Sequence, residues 1–494
     1  MGSIHEQAMQ YVYKQVLQRL LEHLSQAQKA SLQLLIQRLI VAAGGVERMK
    51  GLRLMFVLDA SLSSAQALAC LRAAQLSIAA RSPATFHLCI ATAWQAGMSA
   101  TALANIESTF SKLFMHDDPR IDLLVLDAGE LLPYDNRRAP SSEQQQAERQ
   151  EWLLCGHLSS DGPLLVNFAS HGYLHLADLA LQALRCKGGV DAIISAESLA
   201  DRKRYLAWSR RSLRNAGMLG VRPIHSCAVS LLERMSALRA RYWSLLQGRE
   251  LAAPGLPDAD ADCRPALRFI AIDDLVSDRD SPQGGRLSRF LGFRFDEQVF
   301  PCERVGNANP VLLAHLQGLQ AEFVNDTHYR DGVECYLQQT RQLMQRQAVP
   351  QSLQTRLFNH WQPGGLEQRR SEANDFALQA YGLSEAQLVC QLFSPFVEQG
   401  LRLEAFLRRC HPGMLVALPY LRKALGGQPA PEPVVQWLVD ISGLPLVMLQ
   451  QLYGREPLAD WLLSRLRVRG ADLRHLQIDT ANGIRFRGDQ VGSP

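Results

Sequence analysis

Residues 52–71 read LRLMFVLDASLSSAQALACL: an apolar run of strand length, a short polar turn, then apolar positions at helical spacing. A strand, a tight turn and an amphipathic helix in that order form the repeating unit of an α/β sheet. The same alternation continues downstream. Further strands are expected at 85–92, 121–126, 164–168, 191–195, 219–224 and 267–272, and helices at 64–80, 99–114, 141–157, 175–186, 200–215 and 228–247. Strands separated by crossover helices specify a doubly wound parallel sheet, whose ligand sits at the carboxyl ends of the strands.

Upstream, residues 4–43 repeat apolar positions at three and four spacing (Met9, Val12, Val16, Leu20, Leu24, then Leu32, Leu35, Leu39) and end at Gly44-Gly45. They read as a helical preface, one bent helix or a pair, that acts as a packing element or oligomer contact. Two polar breaks interrupt the α/β region. Residues 134–150 read as a loop running into an exposed helix, and 248–265, rich in Pro, Gly and Asp, as a surface linker. Past about residue 385 the strand pattern gives way to helices, broken at GGQPAPEP (426–433), with a frayed tail after about 480. The expected organisation is therefore an N-terminal helical extension (1–48), an α/β domain (49–385) and a C-terminal all-α domain (386–494).

Composition narrows the function classes. The chain has 494 residues, 47% hydrophobic and 20% charged, which is an ordinary globular balance. A formal net charge of +4, with no basic run interleaved with aromatics, gives no support for a nucleic-acid partner. No stretch of about 18 apolar residues predicts a membrane span, and the charged, polar start lacks the apolar segment of a secretory signal. Ten cysteines without CxxC pairs read as reduced, mostly buried thiols of a cytoplasmic protein. GxxxxGK[ST], GxSxG, HExxH and GxGxxG are all missing, so Walker-type hydrolysis and the commoner hydrolase and dinucleotide routes are not indicated.

Four segments carry chemistry. In the turn at 59–64, Ser61, Ser63 and Ser64 open a helix and can point donors at a phosphate, although Asp59 repels one; the same residues also serve as an ordinary helix cap. In RPIHSCAVS, Arg222 and Ser230 lie eight residues apart across a strand-helix junction. A bidentate guanidinium and a hydroxyl at a helix start can converge on one phosphate, or form a plain turn with a serine N-cap. His171, in NFASHGYLHL, and Glu197, in DAIISAESLA, follow strand candidates, the place for an acid-base group as well as for the commoner structural hydrogen bond or cap. The spacing of His171 and His175 would put them on one side of a helix, but no third ligand lies at a telling spacing, so no metal is expected there.

Taken in order, these segments resemble the superfamily of sulfotransferases that use 3′-phosphoadenosine 5′-phosphosulfate (PAPS), a P-loop-like α/β fold. RPIHSCAVS is similar to that family's 3′-phosphate motif, and RFIAIDDLVSDRDSPQGGRLSRFLGFRFDE (268–297) to its later strand-helix segment ending FLG. FVLDASLSSAQAL falls where the family places its 5′-phosphosulfate loop. DAIISAESLA, ERVGNANPVLLAHLQGLQ (303–320) and RRSEANDFALQAYGL (369–383) resemble further segments of bacterial members. The resemblance covers roughly 52–385 and departs at the loop, where the family's cation falls near Leu62 and its glycines near Asp59 and Ser64. It implies that Arg222 and Ser230 hold a 3′-phosphate, that Ser61, Ser63 and Ser64 line the 5′ site, and that His171 or Glu197 deprotonates a hydroxyl of a carbohydrate or other small acceptor. Arg202, Lys203, Arg204, Arg210 and Arg211 are candidates to replace the loop cation. The alternative is a non-catalytic scaffold that keeps the fold and binds a protein partner through its helical extensions.

Overall fold

In a computed structural model the described residues are 2–82, 85–158, 179, 182, 189–215, 217–218, 233–240, 268–276, 285–294, 310–346, 351–359, 361, 363–454, 478–479 and 483–484. Two N-terminal helices, α1 (Gly2–His23) and α2 (Gln26–Ala43), lead into β1 (Arg53–Val57), α3 (Leu62–Ala79), β2 (His87–Ala93), α4 (Ala100–Lys112), β3 (Ile121–Asp127), β4 (Glu130–Pro133) and α5 (Ser142–Leu158). There follow β5 (Ala192–Ser195), α6 (Leu199–Asn215) and β6 (Arg268–Ala271), then helical segments from Asp273 to Tyr453. The strands form one six-stranded sheet, in the order β4-β3-β2-β1-β5-β6, parallel except for β4. The expected strands at 164–168 and 219–224, and most of the expected helix at 175–186, lie outside the described residues.

The pleat of β1 sorts its side chains to two cores. Leu54 and Phe56 join Leu88 and Ile90 under α3, α4 and the N-terminal pair. Met55 faces the other way and joins Ala91 and Ile193 in a cluster with α5, α6 and the helices beyond Pro310. Helices thus cover both faces, as a parallel sheet requires. Leu388, Phe393, Phe406 and Leu438 belong to the same buried cluster as Met55, so the C-terminal helices continue the hydrophobic layer over that face.

Helix α3 explains the N-terminal pair. It is rich in alanine and leucine, and 14 of its 18 residues are buried, so it has no solvent face and needs a second layer outside it. That layer is α1 and α2, broken at Ser25, where the serine accepts from the Gln28 backbone N–H and the Gln28 side chain accepts from Ser25 in return. The preface is therefore a pair of helices, used for packing.

Polar contacts lock these layers. The guanidinium of Arg72, fully buried on α3, bonds Asp118 Oδ2 at 2.8 Å, Gln75 Oε1 at 2.6 Å, and the carbonyls of Leu113 and Phe114. Arg120 completes Asp118 with bonds of 2.8 and 2.6 Å and lies 4.4 Å over the ring of Tyr13 on α1. Burial pushes the Asp118 carboxyl up, but the bonds from Arg120 and the charge of Arg72 outweigh it and hold its pKa at about 2.

One strand is added and two sequence expectations are corrected. Strand β4, at Glu130–Pro133, is the addition, lying between the strand expected at 121–126 and the polar stretch at 134–150. Asp127 pairs with Glu130 across Ala128 (φ 49°) and Gly129 (φ 84°), a two-residue hairpin with both central residues left-handed. The helix after 141 is not exposed, because Gln144, Ala147, Glu148, Glu151 and Trp152 are buried. The strands also do not end at 385, since Ile478–Asp479 pairs with Gly483–Ile484. Among the described residues no single helix is long and apolar enough to cross a membrane; only the pair Glu432–Ser442 and Leu446–Tyr453, bent by 82°, passes on composition.

Arg72→Met strips a buried carboxylate of one partner and is expected to cost about 3 kcal/mol, read from the urea midpoint. Because the Asp118 pKa is depressed, its contribution is present above its ordinary value near 3.8 and is lost as pH falls toward about 2. Acid titration of the wild type should therefore steepen in that window, and Asp118→Asn should flatten it.

Candidate functional site

The strand order reverses between β1 and β5: β2 and β3 lie to one side of β1, β5 and β6 to the other. A crevice opens at such a point, outside the carboxyl ends of the strands. Phe56, Ile194 and Ile270 are register partners across β1, β5 and β6. Three residues further along each chain stand Asp59, Glu197 and Asp273, so three acidic residues line the edge in sequence register.

The turn after β1 is closed on itself. Ala60 holds φ 58°, a left-handed conformation that a side chain makes costly. Asp59 Oδ1 accepts from the Ser61 backbone N–H at 3.0 Å and from Ser61 Oγ at 2.6 Å. Ser61 Oγ accepts from the Ser64 N–H at 3.2 Å, which makes it the N-cap of α3, and it lies 3.0 Å from Ser63 Oγ. Ser64 is buried and its hydroxyl donates to the Ser61 carbonyl. The structure thus brings Ser61, Ser63 and Ser64 together, and Asp59 takes the two Ser61 donors that were expected to face a phosphate.

Glu197 is exposed at the end of β5. Arg202, one of the candidate replacement cations, donates to the Glu197 carbonyl and to Asp273 Oδ1, the latter at 2.7 Å. Asp274 is held by Arg38 of α2 through two bonds of 2.8 Å, and these bonds lower its pKa. Both arginines are thus held by aspartates. His171, Arg222 and Ser230, with His175, lie outside the described residues.

Sequence reasoning missed the polar layer that α5 presents to this edge. Gln144 Oε1 accepts from the Ala128 N–H at 3.0 Å, beyond β3, and its amide donates to Glu148 Oε1 at 2.5 Å. Glu148 Oε2 accepts from the Ala96 N–H at 2.8 Å, beyond β2. Two side chains one turn apart therefore satisfy the loops after two strands. Burial raises the Glu148 carboxyl to a pKa of about 7, above what its bonds to Gln144 and Ala96 offset. The i, i+4 spacing of Gln144 and Glu148 was visible, but in a run this polar it resembled a solvated face.

A second network joins two of the segments that carried the resemblance. His315, fully buried, bonds Tyr329 Oη at 2.8 Å and Asn374 Oδ1 at 3.0 Å, beside the π-helical turn Gln320–Val324. Asn374 donates to Glu385, which Arg370 also holds. Burial lowers the His315 pKa to about 4, so the ring is neutral at pH 7. The network consists of satisfied hydrogen bonds and fixes helix against helix.

No protein-family model matches the chain, and neither a characterised protein nor a solved structure resembles it at a significant level.

Ala60→Gly relieves the left-handed turn and is expected to raise stability by about 1 kcal/mol in equilibrium denaturation. Glu148 acts through its raised pKa. The folded chain holds a proton that the unfolded chain releases, so the contribution is full below pH 4.5 and declines until about pH 7. The wild type is expected to lose about 3 kcal/mol relative to Glu148→Gln between pH 4.5 and 7.5, measured by urea denaturation at each pH.

Proposed function

We propose that this chain is a sulfotransferase-like protein that binds a 3′-phosphoadenosine nucleotide at the carboxyl edge between β1 and β5. The observation that supports the reading is the topology: β1, which leads into the serine-capped turn 59–64, pairs with β5 at the switch point of the sheet. A helix N-terminus at that place is where an open α/β sheet receives a phosphorylated ligand. The adenosine 3′-phosphate and the sulfuryl chemistry rest on the resemblance of segments 191–200, 222–230 and 268–297. In this reading Arg222 and Ser230 hold the 3′-phosphate, while Ser61, Ser63 and Ser64 adjoin the leaving 5′-phosphate. In transfer, the acceptor oxygen bonds to sulfur, the bond from sulfur to the 5′-phosphate oxygen breaks, and the hydroxyl proton passes to His171 or Glu197.

One observation favours a second reading, a scaffold that binds partners and does not transfer. Asp59 absorbs the Ser61 donors, and Arg202 is committed to Asp273, so neither group offers the loop the free positive charge that transition-state stabilisation demands. Calorimetric titration with 3′-phosphoadenosine 5′-phosphate separates the two. The nucleotide reading expects heat from the wild type, at least tenfold weaker binding in Arg222→Ala, and about tenfold tighter binding in Asp59→Asn, where a like charge is removed. No heat from either the wild type or Asp59→Asn overturns nucleotide binding. Heat without transfer of labelled sulfate to any hydroxyl acceptor leaves a nucleotide-binding scaffold.

A further inference from the structure

The opposite edge of the sheet carries a separate cluster. His87 is the first residue of β2 and Cys89 follows two later, so both side chains stand on one face. Cys89 is the register partner of Asp122 on β3. Imidazole nitrogen, thiol sulfur and carboxylate oxygen lie within 4.8 Å of one another. His87 Nε2 is 2.6 Å from Asp122 Oδ2, and Cys89 Sγ is 3.6 Å from the same oxygen. Cys89 is buried, while the side chains of His87 and Asp122 keep 20% and 43% of their surface exposed, so the group opens toward solvent on one side.

We propose that His87, Cys89 and Asp122 form a three-ligand site for a thiophilic divalent cation of the zinc class, with its fourth position open to water. The donor set is one that zinc accepts, at bond lengths of about 2.0 Å to nitrogen and oxygen and about 2.3 Å to sulfur. Ligands so bound stand roughly 3.3–3.8 Å apart by tetrahedral geometry, so the Cys89 to Asp122 separation already fits. The His87 to Asp122 pair has to open by about 1 Å when the cation replaces the shared proton. Binding forms metal bonds to sulfur, nitrogen and oxygen and releases the thiol proton to solvent, so affinity rises with pH. The cluster lies at the amino ends of β1, β2 and β3, away from the crevice, and a cation there ties two strands rather than serving the carboxyl edge.

Arg53, the first residue of β1, sets the competing charge. Its Nη2 is 3.2 Å from Asp122 Oδ2 and 3.7 Å from Cys89 Sγ, and its Nε donates to the Gly189 carbonyl at 2.9 Å. The guanidinium occupies the side from which a cation would be repelled, so it moves aside on binding and tunes affinity.

The test is cobalt and zinc titration of the full chain after chelator treatment. The proposal expects about one equivalent bound per chain, a thiolate-to-cobalt charge-transfer band in the near ultraviolet, and a zinc-dependent rise in melting temperature. Cys89→Ser and Asp122→Asn should each weaken binding at least tenfold, and Arg53→Gln should strengthen it about tenfold. The wild-type cobalt spectrum stands even where a variant fails to fold. No binding, binding without the thiolate band, binding unchanged in a folded Cys89→Ser, or binding seen only in Arg53→Gln each overturns the proposal; the last leaves a hydrogen-bonded cluster closed by arginine.

Discussion

The buried pair of Arg72 and Asp118 ties α3 to the turn after α4 and to the approach to β3. A guanidinium without solvent must have its donors satisfied, and here the partners come from α3, from the turn after α4 and from the approach to β3. Asp118 needs two arginines to remain ionised at zero exposure, and the second, Arg120, brings Tyr13 of α1 with it. The arrangement fixes the height of α3 over the sheet, and with it the place where its N-terminus meets the carboxyl edge. Breaking it leaves a buried charge, which costs more than the intact pair contributes.

Much of the architecture was legible. Strands β1, β2, β3, β5 and β6 each fall within two residues of an apolar run bounded by polar turns, and Gly292, at φ 67°, ends the short helix before it as the FLG segment suggested. What escaped had local causes. The hairpin into β4 carries Ala128 where asparagine is the usual signal, so only Gly129 announced the turn. Helix α5 begins SEQQQAERQ and looked solvated, because its inward residues are polar for a reason that no periodicity shows: they satisfy backbone groups of loops 16 and 52 residues away in sequence.

The candidate site divides the same way. Position along the chain was readable, since a turn after a strand lies at the carboxyl edge of a parallel sheet. Charge state was not. The commitment of Asp59 to Ser61, and of Arg202 to Asp273, depends on which side chains register brings together, and 71 residues separate the latter pair. Three acidic residues share the edge because Phe56, Ile194 and Ile270 are paired across strands, a fact that exists only in three dimensions.

The position of Tyr13 bears on synthesis. Helices α1 and α2 leave the ribosome before α3 and β3, with Leu20, Leu35 and Leu39 uncovered; the face they cover belongs to α3, and Tyr13 meets Arg120 about a hundred residues later. At ordinary elongation rates that interval is about 5–20 s. Until α3 emerges the nascent chain presents an unpartnered apolar helix pair, and until β3 follows that pair lacks its polar anchor, which makes residues 2–43 the natural client of a holding chaperone and the rate of translation through β3 a determinant of yield.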